Sequence, residues 1–102
     1  MGLVDLRPAS STSMQSTTLE MGEDNNIGLF IPAGVAHGFT ALTDCTLTYV
    51  VNNYYDGGTD EHGVAWNDPA LKLDWCIENP SLSGRDAQNP MLGEIPPANL
   101  PK

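Results

Sequence analysis

Phe30-Ile-Pro-Ala-Gly-Val-Ala-His37-Gly-Phe39 is the stretch on which the fold reading turns. The preceding run Ile27-Gly-Leu-Phe-Ile31 reads as a strand, and Pro32, which cannot donate to a sheet ladder, should end it. Pro32-Ala-Gly34 then supplies turn chemistry, and Gly38-Phe-Thr-Ala-Leu42 is expected to resume a strand. A reversal of this kind places His37 at a strand start, where its side chain can point into the interior of a barrel.

Working outward, Leu3 to Leu6 is a short apolar start, and Pro8-Ala-Ser-Ser-Thr-Ser-Met-Gln-Ser reads as a polar loop before a strand over residues 17–21. Gly22-Glu-Asp-Asn-Asn26 and Thr43-Asp44 are turn formers. Thr46-Leu-Thr-Tyr-Val-Val-Asn52 is rich in β-branched residues and alternates, with Leu47, Tyr49 and Val51 on one face and Thr46, Thr48 and Val50 on the other, which predicts a strand. Residues 56–60 read as loop, 64–66 as a short strand, and Asn67-Asp-Pro-Ala70 as a turn opening a brief helical or irregular stretch. Ser83 can cap one helical turn, and the last ten residues, with three prolines, are expected to be an extended tail. Short strands between Gly, Pro, Asn and Asp turns predict an all-β fold, a partial jelly roll of antiparallel strands. There are too few strands for a complete eight-stranded jelly roll, so the sheet is expected to be incomplete or completed by another chain.

With 102 residues the chain is one domain, divided here into a body over 1–92 and a Pro-rich tail over 93–102. Thirteen acidic residues face only Arg7, Lys72, Arg85 and Lys102, a net charge of −9 that argues against nucleic acid and anionic membrane surfaces as partners. Cys45 and Cys76 lack metal-ligand spacing, no leader-like segment opens the sequence, and no apolar run approaches a membrane span, which together predict a cytoplasmic protein.

Pro-x-Gly-x-x-His within residues 32–37 is the core of the second cupin motif. A metal cupin draws further ligands from an earlier His-x-His and a Glu, and two or three more imidazole or carboxylate groups are needed for a stable site. No histidine precedes His37, and His62 sits in an acidic, Gly-rich loop, where it reads as solvated, so no metal is expected. A small metal-dependent cupin would require two chains to pool His37 and His62.

Val4-Asp-Leu-Arg7, the element 32–39, Tyr49 followed by Asn53-Tyr54-Tyr55, the stretch 60–69 with Val64-Ala-Trp-Asn-Asp-Pro, Leu73-Asp-Trp75 and Leu82-Ser-Gly-Arg-Asp86 follow one another over residues 4–92. In that order and spacing they resemble the C-terminal part of the dTDP-4-dehydrorhamnose 3,5-epimerases, a cupin-fold family. The resemblance implies an isomerase without a cofactor, which removes protons from the carbons flanking the C4 ketone of dTDP-4-keto-6-deoxyglucose and returns them on the opposite face. Such chemistry needs a base, electrostatic stabilisation of the enolate and an acid on the other face. By position Tyr49 matches the family's acid and Asp86 the aspartate coupled to its base histidine, while Tyr54 resembles a pocket position and His37 would line the site. The base histidine, an enolate-stabilising lysine and most cations for the diphosphate belong to the family's N-terminal segment, which has no counterpart here, so the chain is expected to be truncated and catalytically incomplete alone.

Each candidate also has a plainer reading. His37 can bond to backbone, Tyr49 can be a core aromatic, Asp86 can sit at a helix start, and Tyr54 can mark a sheet edge. Trp66 and Trp75 read as buried scaffold. The rival functions are therefore a non-catalytic sugar-nucleotide binding module or pseudoenzyme, and the metal-dependent cupin. An incomplete sheet exposes edges and apolar faces, which predicts a homodimer or a complementing chain.

Overall fold

A computed structural model describes residues 1–58 and 61–102. Its sheet has three antiparallel strands, β1 (Gly2–Asp5), β2 (Ser16–Thr18) and β3 (Val35–Gly38), in the order β2-β1-β3. The first strand of the chain is thus the central one. It pairs with β2 through Leu3 and Thr17, and with β3 through Leu3 and His37, Val4 and Ala36, and Asp5 and Val35. Among the described residues, three strands amid turns and coil, with one four-residue helix α1 (Gly84–Ala87), make a partial all-β, cupin-like fold.

Gly34 joins β1 to the turn before β3. The Val35 amide donates to the Pro32 carbonyl at 3.2 Å, and Gly34 has φ +89°, a left-handed conformation that glycine adopts without steric cost. A Cβ on Gly34 would lie 2.5 Å from Cγ of Arg7, so the missing side chain also admits the arginine stem. The Gly34 carbonyl accepts from the Leu6 amide at 3.2 Å.

A second pair of glycines faces the other end of the sheet. Gly2 and Gly38 are register partners, and a Cβ on either would meet Trp75 Cη2, at 2.9 and 3.2 Å. The bare backbone is what lets the indole lie there. The Trp75 Nε1–H donates to the Trp66 carbonyl at 2.8 Å, so both tryptophans, each half-buried, are tied to the sheet.

The apolar centre is small. Val4 and Leu6 from the first strand and its exit pack with Leu71, and Ala36, Val64, Leu73 and Leu92 close around them. Leu71 reaches this centre from a 3-10 turn, Pro69–Leu71, whose N-cap Asp68 accepts the Ala70 amide at 2.9 Å through Oδ1. The other carboxylate oxygen of Asp68 accepts the Leu92 amide at 2.6 Å, and the Ala65 amide donates to the Pro90 carbonyl at 2.7 Å. One buried carboxylate therefore caps a turn and fastens a segment 24 residues further on. Replacing it by alanine removes the cap and leaves a backbone N–H without its acceptor, an expected loss of about 2–4 kcal/mol from the two effects together. Urea unfolding of Asp68→Ala against the parent measures it, and a loss below about 1 kcal/mol would show that water replaces both bonds.

The strand pattern departs from expectation in several places. The strand predicted over 17–21 is confined to Ser16–Thr18, and the one predicted over 38–42 lies earlier, at Val35–Gly38, because pairing with β1 begins as soon as the Gly34 turn closes. Residues 27–31, 46–52 and 64–66 form no strand. For 46–52 the reason is the lack of a ladder partner among the described residues, since alternation makes a strand only where a neighbour receives its N–H and C=O groups. Residues 64–66 instead bury Ala65 and bond to Pro90. The tail is not simply extended either: it turns in 3-10 conformation at Leu92–Glu94 and Pro97–Asn99. The turn at 67–70 and the helical turn capped by Ser83, whose Oγ accepts the Asp86 amide at 3.1 Å, are as predicted. Thr59 and Asp60, the end of the predicted 56–60 loop, lie outside the described residues.

Candidate functional site

β1 runs directly into the Asp5–Arg7 pair, and its register with β3 brings the two N-terminal sequence elements, 4–7 and 32–39, side by side. Asp5 is buried, yet all its acceptor capacity is engaged. Oδ1 accepts from the Arg7 amide at 3.0 Å and from Arg7 Nε at 2.9 Å; Oδ2 accepts from Arg7 Nη2 at 2.8 Å and from the Thr12 hydroxyl at 2.6 Å. The guanidinium fork presents two parallel bonds to the carboxylate, the strongest geometry available to such a pair. The Arg7 guanidinium, followed by the Thr12 hydroxyl, holds the Asp5 carboxyl well below the usual carboxylate range.

Because that pKa is lowered on folding, the carboxylate's contribution to stability is complete above the unfolded value, about pH 4, and is lost as pH falls through the depressed one. The unfolding midpoint should therefore decline on acidification below about pH 4, and the decline should be shallower in Asp5→Asn. Thermal melts from neutral pH to about pH 2 test this; identical acid slopes for both proteins would remove Asp5 as its source.

His37 stands on β3 opposite Leu3, with its side chain exposed and Nδ1 3.4 Å from the Val35 carbonyl. Tyr49 and Tyr54 are 77% and 95% exposed on coil, and among the described residues neither hydroxyl has a hydrogen-bond partner. Asp86 lies in α1 with its carboxylate 3.6 Å from Arg85 Nε. Among the described residues no hydrogen bond or ion pair joins any two of these four groups.

A groove of about 380 Å³ runs elsewhere. His62 lines it together with Glu61, Asn89 and Glu94, a set that mixes one imidazole with acidic and amide groups. Glu61 reaches across to bond Arg85 Nη1, which raises the already high Arg85 pKa further. Both arginines are thus matched to carboxylates, Arg7 to Asp5 and Arg85 to Glu61 and Asp86. Bidentate capture of a diphosphate draws on guanidinium groups that are not already neutralised, and this chain's arginines are spent on its own acids. Among the described residues no group of three or more His, Cys, Asp or Glu is arranged to hold a metal ion.

Sequence reasoning passed over Asp5, Asp68 and the Glu61–Arg85 pair. Asp68, ahead of a proline at a turn, carried the signal of an N-cap, and Asp5 stands two residues from its partner Arg7; only the Glu61–Arg85 pair joins distant segments.

Residues 2–94 match the family model described as dTDP-4-dehydrorhamnose 3,5-epimerase. The chain belongs to the dTDP-4-dehydrorhamnose 3,5-epimerase family. It is 36% identical over 84 residues to the dTDP-4-dehydrorhamnose 3,5-epimerase of Shigella flexneri, covering 81% of this chain and 46% of that protein. The protein of the same name from Methanothermobacter thermautotrophicus is 40% identical over 76 residues, 74% of this chain and 40% of its own. The dTDP-4-dehydrorhamnose 3-epimerase of Streptomyces niveus is 36% identical over 99 residues, 96% of this chain and 47% of its own. The chain spans about half the length of the curated relatives it matches. No solved structure matches it. Among the described residues no helix is long and apolar enough to cross a membrane.

Proposed function

We propose that this family member acts in deoxysugar biosynthesis as the acid-bearing part of a 3,5-epimerase, on a dTDP-4-keto-6-deoxy sugar. The match to the family model over residues 2–94 is the observation that carries this reading. A base takes a proton from a carbon α to the C4 ketone, the electron pair enters the carbonyl as an enolate, and the Tyr49 hydroxyl returns a proton to the opposite face. The ketone itself acidifies the C–H bond, so the step needs no redox cofactor. An exposed phenol without a bonding partner among the described residues, as Tyr49 is, is open to a substrate. Asp86 is the partner of the base histidine, and His37 and Tyr54 line the pocket. The base and the cations for the diphosphate come from chain outside the matched stretch, through a homodimer or a complementing chain. The setting is the cytoplasm, where two free, exposed cysteines stay reduced.

A second reading, a sugar-nucleotide binding module or pseudoenzyme, is favoured by Asp86 facing Arg85 in place of an imidazole. Incubation with dTDP-4-keto-6-deoxyglucose in D₂O, followed by NMR at C3 and C5, separates the two. Deuterium uptake above the rate without protein supports the isomerase. No uptake, with a saturable shift on titration with the sugar nucleotide, leaves a binder.

A further inference from the structure

β3 carries little information about its own register. Of its four residues Val35 alone is β-branched, Gly38 has no side chain, and among the described residues Ala36 is the strand's contribution to the apolar centre. A strand of small residues is weakly specified against slippage, and a slip of one residue exchanges its two faces. Here the exchange would turn His37, exposed opposite Leu3, to the side on which Ala36 meets the core. What holds the observed register must therefore lie outside the strand.

The turn that opens β3 is held from two sides. On one lies the Arg7 stem, whose Cδ is 2.6 Å from the point where a Cβ on Gly34 would stand, and whose guanidinium is locked to Asp5 by two bonds. On the other lies Pro101, with its Cβ 3.2 Å from the same point. Pro101 belongs to the tail, in which Ile95, Leu100 and Pro101 are half-buried. Among the described residues the backbone hydrogen bonds donated by the tail beyond Glu94 go to Leu92, Pro96 and Pro97, all close in sequence. Apolar side chains, not a ladder, thus bring the tail to the turn.

We propose that Arg7 and Pro101 clamp the Gly34 turn and so fix the register that presents His37, which makes both of them positioning residues for the site. The inference deepens the reading above, in which His37 lines the pocket. Both act through the backbone: the Gly34 carbonyl accepts the Leu6 amide and the Val35 amide donates to the Pro32 carbonyl, each at 3.2 Å.

Pro101→Gly removes the touching carbon and Pro101→Ala keeps it, so the pair isolates the contact. Amide exchange and the imidazole signals of His37 are followed by NMR in the full chain. Exchange at Leu6 and Val35 should rise by roughly tenfold or more in Pro101→Gly, while Leu19, whose amide donates to the Met1 carbonyl at the other edge of β1, stays at the parental rate. The His37 signals should move in the same variant and return to their parental positions in Pro101→Ala. Arg7→Met, which frees the stem from Asp5, should reproduce the pattern of Pro101→Gly. If it fails to fold, with buried Asp5 left unpaired, the proline pair decides alone. Parental exchange at Leu6 and Val35 in Pro101→Gly overturns the clamp, and so does equal acceleration at Leu19, the mark of general loosening. His37 signals that stay in place while the turn opens overturn the positioning role. Titration of the parent with dTDP-4-keto-6-deoxyglucose tests the other claim: His37 signals that ignore the sugar sink its pocket role and leave the clamp standing, whereas signals that follow the sugar, with the turn unaltered in Pro101→Gly, do the reverse.

Discussion

Tyr49→Phe is expected to slow deuterium entry at C3 and C5 of the keto sugar by roughly 10²–10⁴-fold, the range associated with loss of one positioned general acid or base. The same substitution should leave the thermal midpoint where it is. The ring is 77% exposed and its hydroxyl has no partner among the described residues, so removing one oxygen takes nothing from the fold. This separation of activity from stability distinguishes a proton donor from a core aromatic, whose loss would move the melt. The measurement is a pair of initial exchange rates by NMR, taken in whichever assembly shows uptake, alongside thermal melts. Equal rates in parent and variant would remove Tyr49 from the chemistry, whatever the standing of the family reading.

Leu71→Ala should cost about 2–5 kcal/mol, the range for emptying a packed leucine site. Leu71 is 2% exposed and meets Val4 and Leu6, which hold the central strand. So small a core has few side chains that could move in to fill the space. A domain of this size has only about 5–15 kcal/mol of total stability, so the substitution threatens folding outright. Urea denaturation at fixed temperature reads the loss. A cost under about 1 kcal/mol would mean that the segment around Leu71 is not fastened to β1 in solution.

How much of this was legible in the sequence depended on how far each feature reaches. The Pro32–Gly34 turn and the Ser83 cap are governed by residues two or three apart, and both formed where expected. Asp68 was legible as the head of a turn, but its bond to Leu92 joins residues 24 apart and leaves no mark on local pattern. β1 was not read as a strand because it opens on a glycine, whose reason lies far along the chain in Trp75, and closes on an aspartate, held by Arg7 two residues on. Residues 46–52 erred the other way: their alternation describes the environment a strand would suit, and the described residues supply no neighbour. The same distinction divides the candidate site. The order of the family elements can be read along the chain, and the register of β1 with β3 does set 4–7 beside 32–39. Tyr49, Tyr54 and Asp86 sit on segments whose mutual placement depends on tertiary contacts, which no spacing encodes.

The placement of the aromatic residues has a spectroscopic consequence. Both tryptophans lie with the folded body, Trp75 on the paired glycines and Trp66 joined to it by a hydrogen bond. All three tyrosines, Tyr49, Tyr54 and Tyr55, stand in the exposed coil. Indole emission, excited at long wavelength, thus reports melting of the sheet and is silent on the coil, while phenol signals follow the coil alone. One cuvette holds two independent chromophore sets, each assigned to a different part of the molecule without any label.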